Sequence, residues 1–400
     1  MVPITISRRR LLELAAASPF AAAAFRFGGT LQPQPRAPIT AIGDALDVFD
    51  FDEAARRTLP PAHYGYLATG TDDDATLRAN RDAFARYHLR PRRLVNVATP
   101  DLSVSLFGAR FDTPIALAPV GSLRAFHPEG ELAVARAARA GRYLQILSTV
   151  ASHGVEAVNE ARGEPVWFQL YATNDFSVTR ALVARADKAG CPVLVLTVDN
   201  LGNNRLTQER ATRTDTRPCN ACHPPPNPRY FTRRPMFSGL DLAKAMRLSP
   251  QDWNWDFVGR LRDLTRMKIV LKGIVTGEDA ELARARGVDG LIVSNHGGRS
   301  EDSGRGAIEC LAEVVAGAGG AMPVLVDSGF RRGTDIFKAL ALGAAAVCIG
   351  RPYVWGLAGF GQPGVEAVLA MLRRELELVM RQSGTPTLAS ITPKHVERVK

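Results

Sequence analysis

The sequence predicts an α/β fold, a closed (β/α)8 or TIM barrel, and three observations carry that prediction. Eight short apolar runs rich in Val, Ile and Leu recur between residues 114 and 351. Ala- and Leu-rich stretches with helical spacing separate them. The runs are apolar throughout, as strands buried on both faces require. Strand–helix alternation makes neighbouring strands parallel, and eight such units close a barrel. An open doubly wound sheet is the alternative.

The elements follow in order. Residues 39–113 precede the barrel and form an N-terminal extension with helical pieces at 46–58 and 62–69. The candidate strands are 114–119, 143–148, 166–171, 193–199, 268–273, 290–295, 323–329 and 346–351. Helical segments include 129–140, 177–189, 278–286 and 334–342. A long loop after strand four, residues 211–250, is rich in Pro, Arg and Thr and has weak periodicity. Loops of that length are usually lids or disordered segments.

Composition narrows the class. Of 400 residues, 46% are hydrophobic, enough for one large core. No run reaches the ~18–20 apolar residues that a membrane-spanning helix needs. The net charge is +10, of which five arginines and one glutamate in the first 38 residues account for +4. The remaining cations are scattered and not interleaved with aromatics, so the chain is not read as a nucleic-acid binder. Ser7-Arg8-Arg9-Arg10-Leu11-Leu12, an Ala-rich apolar stretch and a Pro-rich linker make residues 1–38 a twin-arginine-type signal. That reading implies export to the periplasm of a chain that folds first. A basic arm on a cytoplasmic protein is the alternative. Residues 39–400 then form the barrel domain.

In such a barrel the active site lies at the C-terminal strand ends. Polar residues collect there. Strand two ends in Ser148, strand three carries Gln169 and Tyr171, and strand four carries Thr197 and Asp199. Strand five holds Lys272, and strand six runs into Ser294-Asn295-His296-Gly297-Gly298-Arg299. A proton acceptor and a fixed cation three residues apart suit a small carboxylate substrate that must lose a proton. Strands seven and eight end in Asp327-Ser328-Gly329-Phe330-Arg331 and Gly350-Arg351. Their glycines, arginines and nearby helix starts suit a phosphate.

From about residue 48 to residue 400 the chain resembles the FMN-dependent α-hydroxy acid dehydrogenases and oxidases, the family of lactate and mandelate dehydrogenases and glycolate oxidase. The resemblance rests on Tyr64-Gly65-Tyr66, His127-Pro128-Glu129-Gly130, Phe168-Gln169-Leu170-Tyr171, Leu196-Thr197-Val198-Asp199, the Ser294–Arg299 stretch and the run from Arg331 to Leu340. It implies FMN as cofactor and oxidation of an L-2-hydroxy acid, lactate-like, to the 2-oxo acid. It implies that His296 takes the substrate proton and that Asp199 stabilises the imidazolium. Tyr66, Tyr171, Arg205 and Arg299 would bind substrate. Lys272 would sit near flavin N1, and Ser148, Gln169, Thr197 and Ser294 near the ring. Asp327 would bind the ribityl chain, with Gly329, Arg331, Gly350 and Arg351 around the phosphate. A homo-oligomer, a tetramer, is also implied.

The departures are specific. The family's Pro-Thr-Ala turn reads Pro119-Val120-Gly121, which would open space beside the flavin. It would leave the fate of the electrons open between a dehydrogenase passing them to a quinone or cytochrome and a hydroxy acid oxidase or monooxygenase using oxygen. Val150 stands where several members carry a large aromatic, implying a roomier pocket. Arg205 is one position out of register with the family's second carboxylate ligand. Cys219-Asn220-Ala221-Cys222-His223 has the c-type haem spacing, but a disulfide or free thiols suit so short an insert better, and a metal would need two further ligands. Cys191, Cys310 and Cys348 fall in or beside core elements. Two other functions stay open: a flavin-binding barrel without catalysis, and oxidation of an amine or modified peptide.

Overall fold

The computed structural model describes residues 38–202, 204–214, 230–250 and 252–399. The N-terminal extension supplies α1 (Val48–Thr58), α2 (Pro61–Ala68) and α3 (Ala75–Asp82). Asp47 caps α1 by accepting from Phe49 N at 2.9 Å, while Asp50 accepts from Asp47 N at 3.1 Å. Two orphan donors are thus satisfied reciprocally.

Eight parallel strands close the barrel: β1 (Ile115–Leu117), β2 (Leu144–Ser148), β3 (Trp167–Leu170), β4 (Val193–Thr197), β5 (Lys268–Ile274), β6 (Gly290–Val293), β7 (Val324–Val326) and β8 (Ala346–Ile349). The intervening helices are α4 (Gly130–Ala140), α5 (Val155–Arg162), α6 (Phe176–Lys188), α7 (Leu206–Thr214), α8 (Asp256–Arg262), α9 (Gly277–Ala285), α10 (Ala307–Ala318) and α11 (Gly333–Ala341). A long helix, α12 (Arg351–Ser383), bends at Gly361, where φ is 64°, and the strand Val396–Arg398 that follows it pairs with Tyr87–Leu89. The barrel expected from the sequence is the one observed. Its strands are mostly shorter than the apolar runs because the chain leaves the ladder while still extended.

Two cores result from period-two alternation along each strand. Ile115, Leu117, Leu147, Phe168, Leu194, Leu271, Val293 and Val347 face the helices. Ala116, Ile146, Trp167, Val195, Val270, Ile292, Leu325 and Cys348 fill the barrel interior. The hairpin formed by Val104–Leu106 and Ala109–Phe111 joins the interior cluster through Leu106 and Phe111, and Phe107 lies 5.4 Å from the Trp167 ring.

The long connection after β4 differs in part from the expectation. It starts as a helix, α7, which packs on α2, where Ala211 Cβ would lie 3.1 Å from a Cβ on Gly65. Its later part is anchored by Phe231, Met236 and Phe237, all at most 1% exposed, while Ser238, Asp241, Lys244 and Met246 remain exposed. Apolar anchors spaced irregularly gave no periodic signal. The leader and the Cys219–His223 motif lie outside the described residues. Cys191, Cys310 and Cys348 are buried.

Candidate active site

The same alternation builds the site. Counting by twos from the interior residues leads to Ser148 after Ile146, Gln169 after Trp167 and Thr197 after Val195. Lys272 follows Val270, Ser294 follows Ile292 and Asp327 follows Leu325. These six polar side chains are therefore the top layer of the barrel interior. Each is at most 6% exposed. Ladder pairing sets Ser148 beside Gln169 and Thr197 beside Lys272. Gln169 Nε2 donates to Thr197 Oγ1 at 3.0 Å, and Lys272 Nζ donates to Ser294 Oγ at 2.9 Å and pairs with Asp327 Oδ2 at 3.4 Å. Burial works against the Lys272 charge, yet Asp327 and Asp199 outweigh it and raise the pKa above the ordinary lysine value. A fixed cation stands at the floor of the site.

One step beyond β6 the chain turns sharply. His296, Gly297 and Gly298 have φ of 58°, 70° and 75°. This left-handed run aims His296 across the barrel mouth. His296 Nδ1 lies 2.9 Å from Asp199 Oδ1, and Nε2 lies 3.1 Å from Tyr171 Oη. Asp199, an ionised carboxylate, only accepts, so Nδ1 carries the hydrogen and the Nε2 lone pair accepts from the Tyr171 hydroxyl. Burial, then the Lys272 charge, lowers the His296 pKa, and Asp199 opposes them only in part. The imidazole is neutral at neutral pH, as a general base must be. Burial raises the Asp199 carboxyl, but His296 and Lys272 outweigh it and hold the group ionised.

Arg299 lies one turn on. Its guanidinium stacks on the Tyr66 ring at 3.9 Å from the centroid and donates to Thr69 O at 3.0 Å and to Gln208 Oε1 at 3.3 Å. Arg205 sits 6.0 Å from the same ring, so the one-residue register shift still delivers it to the site. Burial and repulsion from Arg205 and Arg351 lower Arg299 to about 9, still protonated at neutral pH. Crowded buried cations of this kind are relieved by a bound anion.

An open cleft runs from this cluster to the ends of β7 and β8. Tyr66, Pro119, Val120, Lys272, His296, Arg299, Asp327, Gly329, Arg331, Gly350 and Arg351 line it. At its far end Arg331 is 7% exposed and lies 4.6 Å from the Trp355 ring. Burial, then Arg351 and Arg81, lower it to about 9. A Cβ on Gly350 would meet only Ala118 Cβ at 4.0 Å, which leaves room for a group against the backbone. Buried cation, open glycine and the start of α12 suit a phosphate. Arg351 is otherwise engaged: it donates to Leu67 O, to Gly297 O at 2.8 Å and to Thr69 O at 3.0 Å. It ties the extension to the His296 turn.

The expected open space beside Gly121 needs correction. A Cβ there would lie 2.5 Å from Val150 Cγ2 and 3.5 Å from Ser148 Oγ. Val150, 8% exposed, fills the place that an alanine methyl would take. The two departures from the family pattern are one packing arrangement.

Three residues escaped the sequence reading. Gln208, on α7, contacts Arg299. Glu131, 1% exposed, accepts from Leu123 N at 3.0 Å and Ser152 N at 2.8 Å, tying the loops that carry Gly121 and Val150. Gly273 has φ of 111°, and a Cβ on it would lie 2.6 Å from Asp199 Cβ. The β5–β6 register shifts at this residue, a bulge that lets Asp199 settle against the strand. Only Gly273 left a trace in the sequence, as a glycine closing an apolar run.

A (β/α)8 barrel with a buried His–Asp pair at its mouth, a cation cluster beside it and an arginine–glycine end at β7 and β8 is an arrangement suited to anionic ligands. Residues 55–398 match the family model described as FMN-dependent dehydrogenase. Glycolate oxidase 1 of Zea mays is 40% identical over 367 residues, covering 89% of this chain and 96% of that protein. Glycolate oxidase of Spinacia oleracea is 40% identical, covering 88% of this chain and 96% of that protein. A soluble mutant of the membrane-associated (S)-mandelate dehydrogenase from Pseudomonas putida superposes with a TM-score of 0.81 at 34% identity, covering 89% of this chain and all of that one. The chain belongs to the FMN-dependent family that oxidises 2-hydroxy acids.

Proposed function

We propose that the protein oxidises a small L-2-hydroxy acid, lactate-like, to the corresponding 2-oxo acid. The observation that carries this reading is the His296 side chain, with Asp199 on Nδ1 and Tyr171 on Nε2, beside the Arg299–Tyr66 stack. Arg299 and Arg205 bind the substrate carboxylate, which fixes the α-carbon over the barrel mouth. The substrate hydroxyl lies between His296 Nε2 and the Tyr171 hydroxyl, and Nε2 takes its proton. Asp199 stabilises the imidazolium that forms. FMN, when bound, supplies the acceptor for the substrate's electron pair. Lys272 would present its positive charge to the ring from the top layer, where it would favour a group that accepts electrons. Arg331, Gly329 and Gly350 would hold the cofactor phosphate, and Ser148, Gln169 and Thr197 would offer hydrogen bonds to its ring.

Oxygen as the final acceptor is the reading favoured by the glycolate oxidases among its relatives. A quinone or cytochrome fits the proposed export by the twin-arginine leader. The deciding experiment compares glycolate, L-lactate and L-mandelate under anaerobic conditions, then reoxidation by oxygen against a quinone. We expect L-lactate to reduce the enzyme fastest. A strong preference for mandelate would overturn the small-substrate claim, and no reduction by any of the three would overturn the reaction itself.

A further inference from the structure

We propose that Asn80 and Arg81, successive residues of α3, are positioning residues that hold the two ends of the site separately: Asn80 the base-bearing turn, Arg81 the phosphate-side turn. The inference rests on the roles just given to His296 and to residues 329–331.

The turn after β6 needs external support. His296, a non-glycine residue with φ of 58°, occupies a sparsely populated backbone region that persists only where neighbours over-determine it, while the glycines that follow adopt their φ of 70° and 75° freely. Asn295 provides part of that support, since its Oδ1 accepts from Gly298 N at 3.1 Å and its Nδ2 donates to Arg305 O at 3.1 Å. Asn80 completes it. The two amides pair reciprocally, Asn80 Nδ2 to Asn295 Oδ1 at 2.8 Å and Asn295 Nδ2 to Asn80 Oδ1 at 2.8 Å. Asn80 Oδ1 also accepts from Ala307 N at 3.0 Å. Asn80 and Asn295 are 1% and 2% exposed, so water does not substitute for either. Removing the Asn80 amide strands buried partners next to the catalytic histidine.

Arg81 turns to the other end. Its Nη1 donates to Gly329 O and to Asp335 Oδ2 at 2.7 Å. That carboxylate oxygen also accepts from Arg331 N at 2.9 Å and Arg332 N at 3.1 Å. The α3 backbone lies so close that a Cβ on Gly329 would fall 2.0 Å from Asn80 O. One short helix thus braces both turns through different side chains.

The test uses the holoenzyme and its apoprotein. FMN affinity is read by flavin fluorescence on titrating apoprotein, and kcat and KM with L-lactate on fully loaded enzyme. Asn80→Ala should lower kcat about tenfold or more and leave the FMN dissociation constant within about threefold. Asn80→Asp keeps the shape and the acceptor for Ala307 N but loses the donor to Asn295, so it should show the same split even if the alanine variant folds poorly. Arg81→Ala should weaken FMN about tenfold or more and leave kcat of the loaded enzyme within about threefold. If the Asn80 and Arg81 variants move affinity and kcat together, or if Asn80→Asp leaves kcat unchanged, the division of labour is wrong. Should wild-type enzyme prove inert towards every 2-hydroxy acid, the proposed reaction fails instead. The affinity measurements still decide here: Arg81→Ala must weaken FMN and Asn80→Asp must not.

Discussion

Burial and the Lys272 cation lower the pKa of His296, and Asp199 works against them. A base is active when unprotonated, so kcat/KM rises with pH through this pKa and then levels. The acid limb should therefore lie below about 6.5, the ordinary histidine value. Asp199→Asn removes the neighbour that most favours the imidazolium, leaving only the weaker pull of Asp327. The limb should move further towards acid while the plateau falls about 10²-fold or more, as in general acid–base catalysis. An acid limb that moves up in Asp199→Asn would contradict the electrostatics. The same lowered pKa has a consequence for stability. Below the ordinary histidine value the unfolded chain binds the proton more readily, so stability is lost as pH falls towards the folded pKa. At this scale the sequence was informative. His296, Asp199, Tyr171 and Arg299 fall together because motif spacing at strand ends reports which side chains reach one mouth. Gln208 was not legible, since nothing in its neighbourhood marks a contact that only the docking of α7 creates.

The elements contribute geometry that residue types alone do not reveal. Gly273 interrupts β5 with φ of 111°, and Asp199 Cβ sits 2.6 Å from where a side chain would begin. Gly273→Ala should push Asp199 off His296 and lower kcat/KM about 10²-fold while FMN remains bound. Wild-type kinetics in that variant would show that the bulge has no catalytic role. The loops after β1 and β2 couple in a similar way. Gly121→Ala drives a methyl into Val150 and should destabilise by about 1–3 kcal/mol. Adding Val150→Ala should restore most of that loss, a non-additivity that denaturant midpoints of the four variants would measure. Equal and additive losses would mean the two loops do not meet. The eight strands were legible because burial on both faces leaves continuous apolar runs. The helices α3, α5 and α7 were not, being short and fixed by tertiary contacts such as Asn80 with Asn295. The Val150–Gly121 contact was unreadable for the same reason: a substitution pattern suggests space, but only packing says what fills it.

For the whole molecule, the barrel interior divides into an apolar body and one polar top layer, and the extension closes the mouth through Arg299, Arg351 and α3. The proposed leader adds a transport question. Arg8→Lys/Arg9→Lys should trap active enzyme inside the inner membrane, and unchanged fractionation would remove the twin-arginine reading. The proposed tetramer is checked by light scattering of the purified protein. The central claim is that His296 is the base for oxidation of a 2-hydroxy acid. Anaerobic mixing of FMN-loaded enzyme with L-lactate tests it most directly, by following the loss of yellow flavin absorbance. Wild type should bleach within the mixing and turnover time, and His296→Gln, with FMN still bound, should bleach about 10²–10⁴-fold more slowly. Equal bleaching rates for the two would contradict the account.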